Sequence, residues 1–88
     1  MTPASVMSSR ITLYSAPGCS HCRQAREFLS NHSIPFQELD IQRSTQARKR
    51  LQQLGACGVP VIMVGERRLD GFRAGPLRRL LREAGFPV

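Results

Sequence analysis

Two cysteines separated by two residues stand where the sequence changes from strand-like to helical. Before them, residues 11–14 alternate apolar and polar side chains and are rich in strand formers. After them, residues 23–29 place apolar side chains at helical spacing. A Cys-x-x-Cys pair at a strand-to-helix junction, here Cys19 and Cys22, predicts a dithiol that cycles through a disulfide.

The two cysteines have different expected surroundings. Cys19 precedes the helix, where free backbone N–H groups and the helix dipole favour negative charge, so we expect an exposed nucleophile. Cys22 lies one turn into the helix on an apolar stripe, so we expect a buried, resolving thiol. The stripe continues through Ala25, Phe28 and Leu29. The opposite, solvent-facing side of the helix is expected to carry Arg23, Gln24, Arg26 and Glu27.

His21 lies between the two cysteines, and two interpretations of it stay open. Its ring can donate toward Cys19 and favour the thiolate there, or it can be an exposed residue with no role in the chemistry. The other use of a Cys-x-x-Cys pair is half of a zinc site, which needs four ligands. Because the only other His and Cys residues, His32 and Cys57, are not themselves paired, we predict no metal site.

Length and periodicity predict one α/β domain over residues 10–88, preceded by a disordered lead-in over residues 1–9. The element order is βαβαββα, with a four-stranded mixed sheet flanked by three helices. The first two strands are expected to be parallel, and strands three and four to form an antiparallel hairpin. After the first strand and helix, the remaining elements are expected at residues 34–41, at 45–54 after the N-cap Ser44, at 57–64, at 67–70, and from Gly75–Pro76 to Ala84.

The start of the chain carries neither a basic stretch nor an apolar run, and no apolar run approaches the roughly 20 residues of a membrane-spanning helix. We therefore expect a cytoplasmic protein without membrane contact. In that compartment a Cys-x-x-Cys pair is more often redox-active or metal-binding than structural.

The formal net charge is +7, and the basic residues concentrate in residues 43–50 and 67–82. These stretches lack interleaved aromatic side chains, so we expect no specific nucleic-acid binding. They are interpreted as solvated faces of helices and a hairpin, or as a docking surface for an acidic protein partner. The protein is expected to be a monomer.

The run Cys19-Ser20-His21-Cys22, followed by Gly58-Val59-Pro60, resembles the glutaredoxin branch of the thioredoxin superfamily. The resemblance covers residues 10–84 and implies the thioredoxin/glutaredoxin-like fold. It also implies that the Val59–Pro60 bond is cis and pairs with the backbone of a bound disulfide substrate. Asp70-Gly71-Phe72-Arg73 stands where the family builds part of its substrate site. The implied substrate-binding residues are Pro17, Gly18, Val59, Pro60, Gly71 and Phe72.

The same stretches depart from typical glutaredoxins. Those carry a Gly-Gly pair with an acidic residue near position 71, and a Lys before the dithiol, to hold glutathione; here Ser15-Ala16 and Asp70-Gly71-Phe72-Arg73 stand there instead. The later segment is more similar to glutaredoxin-like redoxins that donate electrons to ribonucleotide reductase and are reduced by thioredoxin reductase.

The resemblance thus implies a thiol–disulfide oxidoreductase without a bound cofactor. Its substrate would be a disulfide in a protein or small molecule. Thioredoxin reductase would be its electron source, with glutathione as the alternative reductant. The alternative hypothesis is that the protein is a binding module in which Cys19 holds an iron–sulfur cluster between two subunits. Relatives that do so mostly have a single active-site cysteine, so the presence of Cys22 argues against it.

Cys57 stands three residues before Pro60, so we expect it near the dithiol. We interpret it as a small buried core residue, because free cysteine is often used in that way. The alternative is a third redox thiol that forms a mixed disulfide with Cys19.

Overall fold

A computed structural model describes residues 10–88, and the predicted lead-in over residues 1–9 lies outside the described residues. The elements are β1 (Ile11–Ser15), α1 (Ser20–Asn31), β2 (Gln37–Asp40), α2 (Thr45–Gln53), β3 (Val61–Val64), β4 (Arg67–Asp70) and α3 (Ala74–Glu83). The predicted βαβαββα order is confirmed. The four strands form one mixed sheet in the order β2-β1-β3-β4.

The central strand β1 determines which segments of the chain meet. It pairs in parallel with β2, with Ser15 opposite Asp40, and antiparallel with β3, with Tyr14 opposite Val61. The hairpin of β3 and β4 is antiparallel, as predicted. Consequently the segment after β1, the end of β2 and the segment before β3 lie at the same end of the sheet.

Two apolar clusters attach the helices to opposite faces of the sheet. On one face α1 and α3 bury their stripes against β1, β3 and β4; this cluster comprises Ile11, Leu13, Ala25, Leu29, Ile34, Ile62, Val64, Leu69, Leu77 and Leu81. On the other face α2 packs through a smaller cluster of Tyr14, Ala47, Leu51 and Val61. Three helices therefore flank the sheet in an α/β/α arrangement. Every helix in residues 10–88 is too short or too polar to cross a bilayer.

Two strands are shorter than their apolar patterns predict. In the segment predicted at 34–41, Ile34 is buried but bonds back to the helix, its N–H donating to the Leu29 carbonyl at 2.9 Å. In the segment predicted at 57–64, Pro60 has no N–H to donate to a strand ladder, and β3 begins after it. Ile34 and Pro60 are buried without being part of a strand, so burial extends beyond strand pairing at both positions.

The second helix provides a direct test of the fold. The Ser44 hydroxyl accepts a hydrogen bond from the Ala47 amide at 3.1 Å and so caps α2. We expect Ser44→Ala to lower the free energy of unfolding by about 1 kcal/mol, measured by urea denaturation. The control is Ser30→Ala, which replaces an exposed serine within α1. Equal stability of Ser44→Ala and the wild type would contradict the capping role.

Candidate active site

The chain turns sharply between β1 and α1, and the first cysteine lies at this turn. Gly18 adopts a positive φ of 76°, a conformation that glycine tolerates without strain. Cys19 follows in an extended conformation as the N-cap of α1, and its sulfur accepts a hydrogen bond from the Cys22 amide at 3.2 Å. The Cys19 sulfur therefore lies at the positive end of the helix dipole, where a thiolate is stabilised.

Cys22 occupies the first turn of α1 and is fully buried, whereas Cys19 is partly exposed. The pKa of the Cys22 thiol is raised to about 11, first by burial, then by its hydrogen bond with Cys19 and by the charges of Cys19 and Glu38. The backbone amide of Ala16, bonded to the Cys22 sulfur, acts in the opposite direction. The Cys19 thiol is thus accessible, whereas the Cys22 thiol is buried and stays protonated.

Two further segments border this turn. The Val59–Pro60 peptide bond is cis, as the sequence resemblance implied. The pairing of Tyr14 with Val61 places Pro60 beside the end of β1, where the dithiol turn begins. The Gly71 amide donates to the Pro60 carbonyl at 2.8 Å and holds the loop after β4 against the cis-proline.

Phe72, the next residue of that loop, is held in place by α1. Its ring meets the ring of Phe28 edge-on, with centroids 5.8 Å apart. Phe28 also contacts the His32 ring, and the Arg78 guanidinium lies over it at 5.7 Å. Phe28, predicted to lie on the buried stripe, is half-buried, packs against the larger apolar cluster and supports Phe72.

The remaining predicted residues lie at the surface of the turn. Pro17 and Gly18 are exposed and line an open cleft of about 240 Å³ beside Cys19, together with Arg23 and Arg26. His21 is exposed in the first turn of α1. Over residues 10–88 no hydrogen bond joins it to Cys19, so its influence on that thiol stays a prediction.

A polar network next to the dithiol was not predicted. Arg26 grips Glu38 at two points, with Nε 2.7 Å from Oε1 and Nη2 2.6 Å from Oε2. The buried Ser15 hydroxyl donates to the same carboxylate at 2.8 Å. Arg26 was predicted on the solvent-facing side of α1, and its side chain is 43% exposed, but its pairing with Glu38 was not predicted. The available signal was its position four residues after Cys22, which places both side chains on the same side of α1.

The hydrogen bonds of this network lower the pKa of the Glu38 carboxyl group. The two hydrogen bonds from Arg26 lower the pKa of Glu38, burial partly opposes them, and the Ser15 hydroxyl adds to the lowering. The carboxylate is therefore ionised in the folded protein and balanced by one guanidinium.

The interpretation of Cys57 as a core residue is wrong, because its side chain is exposed. In the loop between α2 and β3, its neighbours Ala56 and Val59 pack against the smaller apolar cluster and leave Cys57 outside. Its alternative role as a third redox thiol stays a prediction. Within residues 10–88, no three His, Cys, Asp or Glu side chains converge as metal ligands would.

Comparison with known proteins agrees with this geometry. The Glutaredoxin family model matches residues 11–69. The glutaredoxin-like protein NrdH of Lactococcus lactis is 30% identical over 70 residues, which cover 80% of this chain and 97% of that protein. The structure of the glutaredoxin-like NrdH-redoxin of Escherichia coli, which has a thioredoxin-like activity profile, matches with a TM-score of 0.74 at 28% identity, over 81% of this chain and 93% of that one. A glutaredoxin of Archaeoglobus fulgidus, at 21% identity, shares the fold with a TM-score of 0.73 over 93% of this chain and 97% of that one.

This chain belongs to the glutaredoxin family, as a glutaredoxin-like redoxin of the NrdH type. Its enzyme class is thiol–disulfide oxidoreductase.

The Glu38 network predicts how stability depends on pH. Because the pKa of Glu38 is lower in the folded protein than its unfolded value of about 4.3, the stability it contributes is fully present above the unfolded value. It is lost as the pH falls through the folded value. We expect the free energy of unfolding to fall between about pH 6 and pH 3, and to fall less in Glu38→Gln.

Urea denaturation at both pH values measures this difference. The matched control is Glu66→Gln in the exposed β3–β4 turn, which should keep the wild-type dependence. If Glu38→Gln and the wild type lose the same stability on acidification, Glu38 does not have the assigned role.

Proposed function

We propose that Cys19 and Cys22 carry the disulfide exchange of this enzyme. The Cys19 thiolate attacks one sulfur of the substrate disulfide, forms a mixed disulfide and releases the other substrate sulfur as a thiolate. Cys22, after losing its proton to solvent, attacks the Cys19 sulfur and releases the second substrate thiolate. The substrate gains two electrons, and the pair loses two as it forms the Cys19–Cys22 disulfide.

One observation carries this proposal: the Cys22 amide bonds to the Cys19 sulfur at 3.2 Å while Cys22 itself is fully buried. A buried thiol cannot meet a bulky disulfide directly. It can reach a mixed disulfide on its neighbour, because both are on the same helical turn. The order of attack, Cys19 first and Cys22 second, follows from this difference in access.

The substrate groove in this proposal runs along the three segments that border Cys19. Pro17 and Gly18 form one wall, Val59 and Pro60 the second, and Gly71 with Phe72 the third. The hydrogen bond from Gly71 to Pro60 and the contact of Phe72 with Phe28 support this arrangement, because they hold the third wall beside the second. His21 is proposed to favour the Cys19 thiolate from the rim.

For the electron source, we favour thioredoxin reductase over glutathione. The carboxylate of Asp70, the acidic residue before Gly71, is paired with Arg68 at 3.0 Å and 3.2 Å. The amino group of a γ-glutamyl tripeptide would therefore have to compete with Arg68 for this carboxylate. The thioredoxin-like activity profile of the Escherichia coli relative supports the same choice. The disulfide of ribonucleotide reductase is the first protein substrate to assay.

Replacing each cysteine in turn tests the assigned roles. We expect Cys19→Ser to abolish reduction of a disulfide peptide, and Cys22→Ser to accumulate a peptide–Cys19 mixed disulfide, detected by mass spectrometry. Cys57→Ser, the matched control at an exposed thiol, should turn over as the wild type does. Retained activity in Cys19→Ser would overturn the assignment.

Coupled oxidation of NADPH identifies the reductant. Identical samples receive either thioredoxin reductase or glutathione with glutathione reductase, together with the same disulfide substrate. We expect faster turnover with thioredoxin reductase, because the carboxylate before Gly71 is already engaged. Turnover with glutathione alone would refute the proposed electron source and leave the exchange mechanism intact.

A further inference from the structure

The pair of Arg26 and Glu38 joins α1, one turn after the buried thiol, to β2. Arg26 lies four residues after Cys22 on α1, so the two side chains are neighbours on the helix. Glu38 reaches the same place from β2 through its two hydrogen bonds with Arg26. The Ser15 hydroxyl donates to the same carboxylate and so ties the end of β1, where the dithiol turn begins, to the pair. One network therefore holds both the helix and the turn around Cys22.

We propose that Arg26 and Glu38 are positioning residues that act on Cys22 with opposed charges and so set how readily it becomes the attacking thiolate. Glu38 disfavours the thiolate and Arg26 favours it. Arg26 therefore offsets part of the effect that Glu38 has on Cys22. This inference rests on the proposed role of Cys22 as the resolving thiol.

No other described element places a charge beside Cys22 in this way. Strand β3 has only apolar side chains. Tyr14 of β1 packs into the smaller apolar cluster with α2, and Arg78 of α3 lies over Phe28. The other titratable or charged neighbours belong to the first turn of α1 and its cap, and they are Cys19, His21 and Arg23. Of these, His21 and Arg23 are exposed.

If Arg26 and Glu38 act through their charges, removal of one changes the rate of Cys22 attack in the opposite direction to removal of the other. If they act only through structure, both removals change the rate in the same direction. Loss of either side chain breaks the same two-point contact, so a purely structural role changes the rate of Cys22 attack in one direction. Removal of the negative charge leaves Arg26 unbalanced and favours the thiolate, whereas removal of the positive charge leaves Glu38 unbalanced and disfavours it. The sign of the effect therefore separates the two roles.

Resolution of a mixed disulfide in a single turnover measures this effect. The full chain with Cys57→Ser is reduced and mixed with one equivalent of dithiobis(nitrobenzoate). The first nitrothiobenzoate is released when Cys19 attacks, and the second when Cys22 resolves the mixed disulfide. The rate of the second release does not depend on protein concentration. Well below the pKa of Cys22, this rate follows its thiolate fraction, reduced by the lower nucleophilicity of a less basic thiolate.

We expect Glu38→Gln to speed the second release about threefold and Arg26→Gln to slow it about threefold, each corresponding to roughly one unit in the pKa of Cys22. Arg26→Lys keeps the charge without the two-point grip and should resolve at close to the wild-type rate. The matched controls, Arg67→Gln and Glu83→Gln, break the ion pair between β4 and α3 and should leave the rate unchanged.

Changes in the same direction for Glu38→Gln and Arg26→Gln, or no change in either, overturn the inference while the proposed function stands. A second release that persists in Cys22→Ser overturns the proposed function instead. In that case the rate of Cys22 alkylation in Cys19→Ser/Cys57→Ser decides the inference. It must rise with Glu38→Gln and fall with Arg26→Gln.

Discussion

The pairing of β1 on both of its edges is the constraint on which the site depends. Parallel pairing with β2 brings Glu38 to the region of the dithiol, and antiparallel pairing with β3 brings Pro60 there. The segments involved are far apart in the sequence, and β1 is the strand that pairs with both. Because backbone hydrogen bonds on both sides fix the end of β1, the turn that follows has a defined position.

Burial of one thiol and exposure of the other divide the chemistry between them. A pKa of about 11 keeps Cys22 protonated at neutral pH, so it does not compete with Cys19 for an incoming disulfide. It reacts well only when the mixed disulfide is held next to it, where its effective concentration far exceeds that of any thiol in solution. The apolar core thereby helps to determine that Cys19 attacks before Cys22, in addition to stabilising the fold.

The element order could be predicted from the sequence because strand and helix periodicities are interrupted by glycines and prolines at the turns. The burial of Cys22 followed from its place on the apolar stripe of α1. The pairing of Arg26 with Glu38 could not be predicted in the same way, since it joins a helix to a strand and depends on the sheet register. The exposure of the Cys57 side chain could not be predicted either, because it depends on how the neighbouring Ala56 and Val59 pack against the smaller apolar cluster.

The contact between Phe28 and Phe72 has a mechanical consequence. Phe28 lies six residues after Cys22 on the same helix, and a helix of this length moves nearly as a rigid body. The helix that carries the buried Cys22 thiol at its start therefore also carries the ring that supports the loop after β4. The dithiol and the loop after β4 are thus anchored to one rigid element, so their relative position does not depend on the sheet alone.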